Sequence, residues 1–247
     1  MGWKAACIIT GDCAAGYLGE ALQHLPAKAS DIREKLGYKE PTSRKQSSLE
    51  PYPESGTYMI GAYDRAVFLA DQDKIFDCFE NRDNPYFKKA LTLYPDGKLL
   101  MFVLHSVVNY FGYAYYEKGQ LIREFSGGAD EGVISDFSEL QPEEKEIFAN
   151  SKIVDGKRIF LYEADGVVEE LEADLMGESL VFQMVGRYFG QPFDQTLEGH
   201  RDNFDLPTEL FTGPHSERNP IRTAGSGSFL DSAISSIAKF VISKLKP

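Results

Sequence analysis

The chain has 247 residues, with 38 Asp and Glu against 26 Lys and Arg, for a formal charge of −12. That length gives one large domain, or one domain with appendages, able to bury roughly 70–75% of its unfolded surface without a disulfide or metal. The acidic balance removes the phosphate-neutralising surface that nucleic-acid binding requires, so nucleic acid is excluded as a principal partner.

The opening MGWKAACIITGDC has one early lysine and an apolar run too short for a secretory segment. No stretch reaches the 18 or so apolar residues that a spanning helix needs, so the expectation is a soluble cytoplasmic protein. Cys7, Cys13 and Cys78 form no CxxC pair and read as buried, reduced thiols.

In chain order, residues 3–9 are a short β-favouring run that stops at Thr10-Gly11-Asp12, and residues 18–25 have helical spacing up to Pro26. Residues 38–56 (YKEPTSRKQSSLEPYPESG) have the polar, Pro- and Ser-rich composition of a long exposed loop. Residues 57–71 are β-rich and broken at Gly61 or Tyr63-Asp64, which predicts two short strands or one bulged strand. Residues 75–79 and 86–93 read as helices, and Tyr94-Pro95-Asp96-Gly97 is a turn.

Residues 98–128 are the most legible stretch and predict three consecutive antiparallel strands. In the middle strand the period of two puts Phe111, Tyr113 and Tyr115 on one face. Tyr110, Gly112, Ala114 and Tyr116 share the other, where the small pair leaves a trough for a packing helix. Asp130-Glu131 then sit in a glycine-bracketed acidic loop, followed by a short strand at 133–137. A helix at 142–150 has proline and three glutamates in its first turns, suited to a positive N-terminus. A strand at 157–163 and a helix at 175–189, stopped by Gly190 and Pro192, complete the body. Because the clear strand pairs are hairpin-linked, the expected class is α+β, with a mainly antiparallel sheet packed by several helices.

Leu104-His105-Ser106-Val107-Val108, the aromatic strand with Gly119 and Arg123, the helix GESLVFQMVGRYFG and the segment DNFDLPTELF together resemble a family of bacterial cytosolic proteins, mostly actinobacterial, that is a domain of unknown function. The opening strand with Gly11-Asp12 is similar as well, and the resemblance covers about residues 1–211. It implies a shared fold and no activity. The loop at 40–56 and the C-terminal extension depart from the family pattern, so the tail's role is not inherited.

No motif names a reaction. GDCAAGYLG lies between a strand and a helix but has neither Walker nor dinucleotide spacing, and Asp12 there would repel a phosphate. His105 ends the apolar strand and could act as a general base with Asp130, Glu131 or Asp12 in a cleft at the strand ends, the hydrolase-like alternative. Ser106, on the opposite sheet face, is no nucleophile for it. His200 and His215 lie in polar loops without the spacing of a zinc site, and neither metal nor cofactor is expected.

The sharper signal is the tail. Residues 212–228 have linker composition, and residues 229–247 form an amphipathic helix whose apolar stripe includes Phe229, Ile234, Ile237 and Val241, with Lys239 and Lys244 beside it. Such a helix docks on its own domain, joins a partner or a second copy, or lies on a membrane. The leading expectation is a binding or interaction module whose domain is residues 1–211 and whose contact element is this helix.

Overall fold

The structure is a computed structural model that describes residues 2–164 and 167–213. Its elements in chain order are β1 (Lys4–Gly11), α1 (Pro26–Leu36), β2 (Ser43–Ser48), β3 (Thr57–Ala62), β4 (Ala66–Ala70), α2 (Gln72–Glu80) and α3 (Pro85–Leu91). The hairpin strands β5 (Lys98–His105), β6 (Tyr110–Glu117), β7 (Gln120–Gly128) and β8 (Gly132–Phe137) follow. Then come α4 (Pro142–Ala149), β9 (Ser151–Val154), β10 (Lys157–Ala164), β11 (Val167–Glu172), α5 (Ala173–Phe189) and β12 (Pro207–Thr212).

Nine strands form one sheet in the order β2-β12-β3-β4-β1-β5-β6-β7-β8, and β11-β10-β9 form a second. Every pairing in both is antiparallel. The fold is thus α+β and mainly antiparallel, as the hairpin-linked pairs predict. The central strands read as unbroken apolar runs because both faces of the large sheet are covered. One face carries a core that includes Ile32, Ile75, Phe79 and Phe87 from α1, α2 and α3. The other is packed by Leu180, Met184 and Phe189 of α5, by Phe148 of α4 and by Phe160 of the small sheet. The three cysteines are buried and free.

The two faces of β6 divide as the alternation requires, Phe111, Tyr113 and Tyr115 in one core and Ala114 and Tyr116 in the other. The trough holds Phe79 of α2: a Cβ at Gly112 would stand 2.4 Å from the Phe79 ring, so only glycine permits this approach. α5 ends at Gly190 in the left-handed conformation (φ 78°), the stop read from the sequence.

Three local expectations change. Residues 18–25 do not form a helix; a single 3-10 turn at Tyr17–Gly19 precedes irregular chain, and α1 begins where the helix was expected to stop. Pro26 is a first-turn residue, the place where a missing N–H costs no bond. Leu18 is buried and Leu22 packs on the core, so the periodicity reports packing without helix. The stretch read as exposed loop holds β2, whose SRKQSS is almost wholly solvated; pairing with β12 through the backbone orders it, and Arg44 and Lys45 blunt the sheet edge. β9 and β11 flank the one strand expected around residue 160.

Thr212, placed at the start of the linker by composition, is the last residue of β12 and pairs with Ser43 and Thr57. Gly213 still donates its amide to the Gly56 carbonyl at 2.9 Å. Residues 214–247, including the amphipathic stripe, lie outside the described residues. Among the described residues no helix is long and apolar enough to cross a membrane.

Candidate functional site

The His105 candidates are spread over the sheet. His105 ends β5, opposite Lys4 and Tyr110. Its ring meets the edges of Tyr52 and Phe76 at 6.5 and 6.3 Å between centroids. Its Nδ1 is buried with no hydrogen-bond partner among the described residues. Burial, then the charge of Lys4, holds its pKa below the usual histidine value. Asp12 follows the far end of β1, roughly 25 Å away at the ordinary strand rise, in an exposed pair with Arg65 at 3.4 Å. Asp130 and Glu131 form the β7–β8 turn at His105's end of the sheet but two strands over. The residues Phe229, Ile234, Ile237, Lys239, Val241 and Lys244 lie outside the described part of the chain.

A denser constellation forms where β4 hands over to α2. Asp71 leaves β4 in extended conformation (φ −160°) and caps α2, its Oδ1 accepting the amides of Asp73 and Lys74 at 2.9 and 3.0 Å. Gly37, left-handed at φ 82°, turns the chain out of α1 so that Tyr38 lies flat on Tyr58 of β3, centroids 3.8 Å apart. Tyr58 in turn stacks on Phe211 of β12 at 5.2 Å. The Tyr38 hydroxyl donates to Asp71 Oδ2 at 2.6 Å and stands 3.0 Å from the hydroxyl of Tyr86 on α3. Over the outer face of Tyr38 sits the Lys74 ammonium, 3.4 Å from the ring centre. A cation, two tyrosines and a phenylalanine thus make one column beside a capped carboxylate.

The column borders a cleft of about 320 Å³ that Gly37, Lys39, Gly56, Thr57, Asp73 and Gly213 also line. Asp71 is 3% exposed, and burial pushes its pKa up to about 6 against the opposing Tyr38 hydrogen bond and Lys74 charge. Burial likewise lowers the pKa of Lys74, with Asp71 opposing. Tyr58 is pushed up to about 12 by burial, with Arg33 opposing. Burial thus drives an acid and a base in opposite directions within one cleft. When Asp71 takes up a proton near pH 6, the carboxyl can donate to Tyr38 and Tyr38 to Tyr86, reversing the direction of the chain of hydrogen bonds.

Asp71→Ala is expected to lose about 1–3 kcal/mol, the helix cap together with the partner of a buried hydroxyl. Asp71→Asn keeps the cap and can donate its amide to Tyr38, so it stays near the parent. The pH response separates them further. A carboxyl raised in the folded state binds its proton more tightly there, so the parent loses stability relative to Asp71→Asn as pH rises from about 4 through about 6. Urea midpoints of the two proteins across that range measure it; parallel curves would show that Asp71 ionises normally.

Other groupings differ: a second cleft of about 320 Å³ is lined by Lys98, Glu117, Glu143 and Arg187, but there Arg187 is already paired with Glu143 at 2.6 Å. Arg123 and Glu144, both 0% exposed in their side chains, pair at 2.8 Å between the large sheet and α4. Arg123 Nε reaches both Glu144 oxygens at 2.9 and 3.0 Å, and Nη1 donates to Asp136 at 2.6 Å and to the Phe137 carbonyl at 2.9 Å. Tyr113 donates to Glu144, and Glu144 closes the α4 capping box through the Gln141 amide at 2.7 Å. The guanidinium also lies over Phe125 and Phe148, which leaves it no access to solvent. A larger cleft of about 520 Å³ near the start of α5 contains Asn109 and Asp174, which bond to each other at 3.4 Å, and lacks a cationic side chain. Among the described residues no group of three or more His, Cys, Asp or Glu side chains could hold a metal.

Sequence reading missed the column because its members come from α2, β3, β12 and the segment after α1, and no local pattern links them. One signal was available: Asp71 directly before a helical run is a capping residue. No curated protein and no solved structure matches the chain. The profile of a family of unknown function (DUF6928) matches residues 5–177, a span holding Tyr38, Tyr58, Asp71, Lys74 and Tyr86, and the chain belongs to that family.

Proposed function

We propose that the protein is a cytoplasmic binding module, that the cleft beside Asp71 and Lys74 is its recognition site, and that residues 214–247 are a contact element for a partner, a second copy or a membrane surface. The observation that carries the reading is the convergence of Asp71, Lys74, Tyr38 and Tyr58 on one cleft, with Tyr86 behind Tyr38, against the dispersal of His105, Asp12, Asp130 and Glu131. Gly213, the last described residue, lines that cleft. A fragment screen on the full chain, read by amide resonances, tests the recognition site. Hits are expected at Tyr38, Gly56 and Lys74, and hits confined to other surfaces overturn it.

The tail is tested by truncation. Ending the chain after Gly213 keeps every β12 pairing and is expected to change stability by less than about 1 kcal/mol, because the linker composition brings few contacts. Ending it after Phe211 removes the Thr212 pairs and the Gly213 bond, and costs more. Light scattering and vesicle sedimentation of the full chain against the chain ending at Gly213 then show which surface the tail serves; identical behaviour in both would remove it as a contact element.

A further inference from the structure

In the cleft beside Asp71 both carboxylates are occupied, the Tyr38 hydroxyl is spent on Asp71 and that of Thr57 on the Glu54 carbonyl, while the two ammonium groups are unpaired among the described residues. Asp71 spends Oδ1 on two amides and Oδ2 on Tyr38. Asp73 accepts from the Ser55 hydroxyl at 2.9 Å and from the Gly56 amide at 2.7 Å. Lys74, by contrast, makes no ion pair or hydrogen bond through its ammonium among the described residues; it lies half-buried against the faces of Tyr38 and Tyr86. Lys39 on the rim is exposed and also without an ion pair there. The Tyr58 hydroxyl, on a residue 4% exposed, lies against the Arg33 guanidinium without a hydrogen bond of ordinary geometry.

The position of Lys74 sharpens the contrast. It sits in the first turn of α2, where the helix dipole is positive and favours an anion over a cation. A ring face compensates an ammonium only in part for the water it loses. Two oxygens of an incoming anion would complete its shell, and the same helix end would favour them. The net charge of −12 opposes anions in general and Asp71 and Asp73 oppose them in the cleft itself, so such affinity has to come from direct contact with Lys74 and Lys39.

We propose that this cleft takes a small anion, a carboxylate or phosphate group, held by Lys74 with Lys39 at the rim; the proposal rests on the cleft being the recognition site. The probes are inorganic phosphate and acetate, titrated into the full chain at pH 7 against chloride at matched ionic strength. Amide shifts of Lys39, Gly56 and Lys74 and the side-chain resonances of Lys74 are the readout. Saturable shifts with phosphate, acetate or both are expected, and the stronger of the two names the group. Lys74→Met should weaken binding at least about tenfold, and Lys74→Arg should retain it. Lys98→Met, at the opposite end of the sheet, should leave it unchanged. Shifts equal to those of chloride, or unaltered in Lys74→Met, overturn the proposal. If anions fail while neutral fragments still map to the cleft, the anion assignment falls and the recognition site stands; if neither binds, both fall.

Discussion

Arg123→Met is expected to lower the free energy of unfolding by about 3–5 kcal/mol, because it strands the Glu144 carboxylate at full burial without its counter-ion. The loss follows from the geometry of the network. Glu144 receives Arg123 on both oxygens, Tyr113 on one and the Gln141 amide on the other, so all its acceptors were built for a charged state. Methionine fills the space of the side chain and keeps contact with Phe125 and Phe148, which isolates charge loss from cavity formation. The double variant Arg123→Met/Glu144→Leu should recover much of the stability, since a buried pair exchanged for apolar volume is often neutral. Urea denaturation of the parent, the single and the double variant gives the test. A single-variant loss under about 1 kcal/mol would mean that water reaches Glu144.

Phe193→Ala should cost a similar amount, about 3–5 kcal/mol, through the cavity left in a ring cluster. Phe193 is 0% exposed although it lies outside every helix and strand. Its ring stands within 6.5 Å of five others: Trp3, Phe102, Phe182, Phe189 and Phe204. Those rings come from the N-terminal segment, β5, α5 and the turn before β12, so the residue ties together segments distant in sequence. For a domain of this size the melting temperature should fall by roughly 6–20 °C. Phe193→Leu, which keeps apolar volume, should fall less. Equal melting of Phe193→Ala and the parent would show that the loop after α5 does not carry this core.

What the sequence made readable depended on whether side chains or backbone did the ordering. β5, β6 and β7 are legible because burial selects apolar or alternating residues along them, and their turns use Gly97 and Gly119. β2 is illegible because its side chains face water and its backbone ladder with β12 orders it, which leaves no trace in composition. The start of α1 is misread from sequence because Leu18 and Leu22 mimic a helical stripe while packing on the core from outside any α-helix. The cleft was hidden for a related reason. Tyr38 and Tyr86 are 48 residues apart, and Tyr38 and Asp71 are 33 apart, so their meeting is a property of the sheet and of the helices on it.

β12 is inserted between β2 and β3, not added at an edge. The Thr208 hydroxyl bonds the carbonyl of Ser47 across 161 residues of chain. During synthesis at about 5–20 residues per second, residues 43–48 emerge roughly 8–30 s before the strand that is to hold them. Until then β3 presents an unpaired edge and β2 has nothing to pair with. The nascent chain therefore carries an open template for mispairing until β12 emerges to close it. A premature stop anywhere before Pro207 would leave that edge open permanently, so truncated products are expected to aggregate or to recruit chaperones in a way the full chain does not.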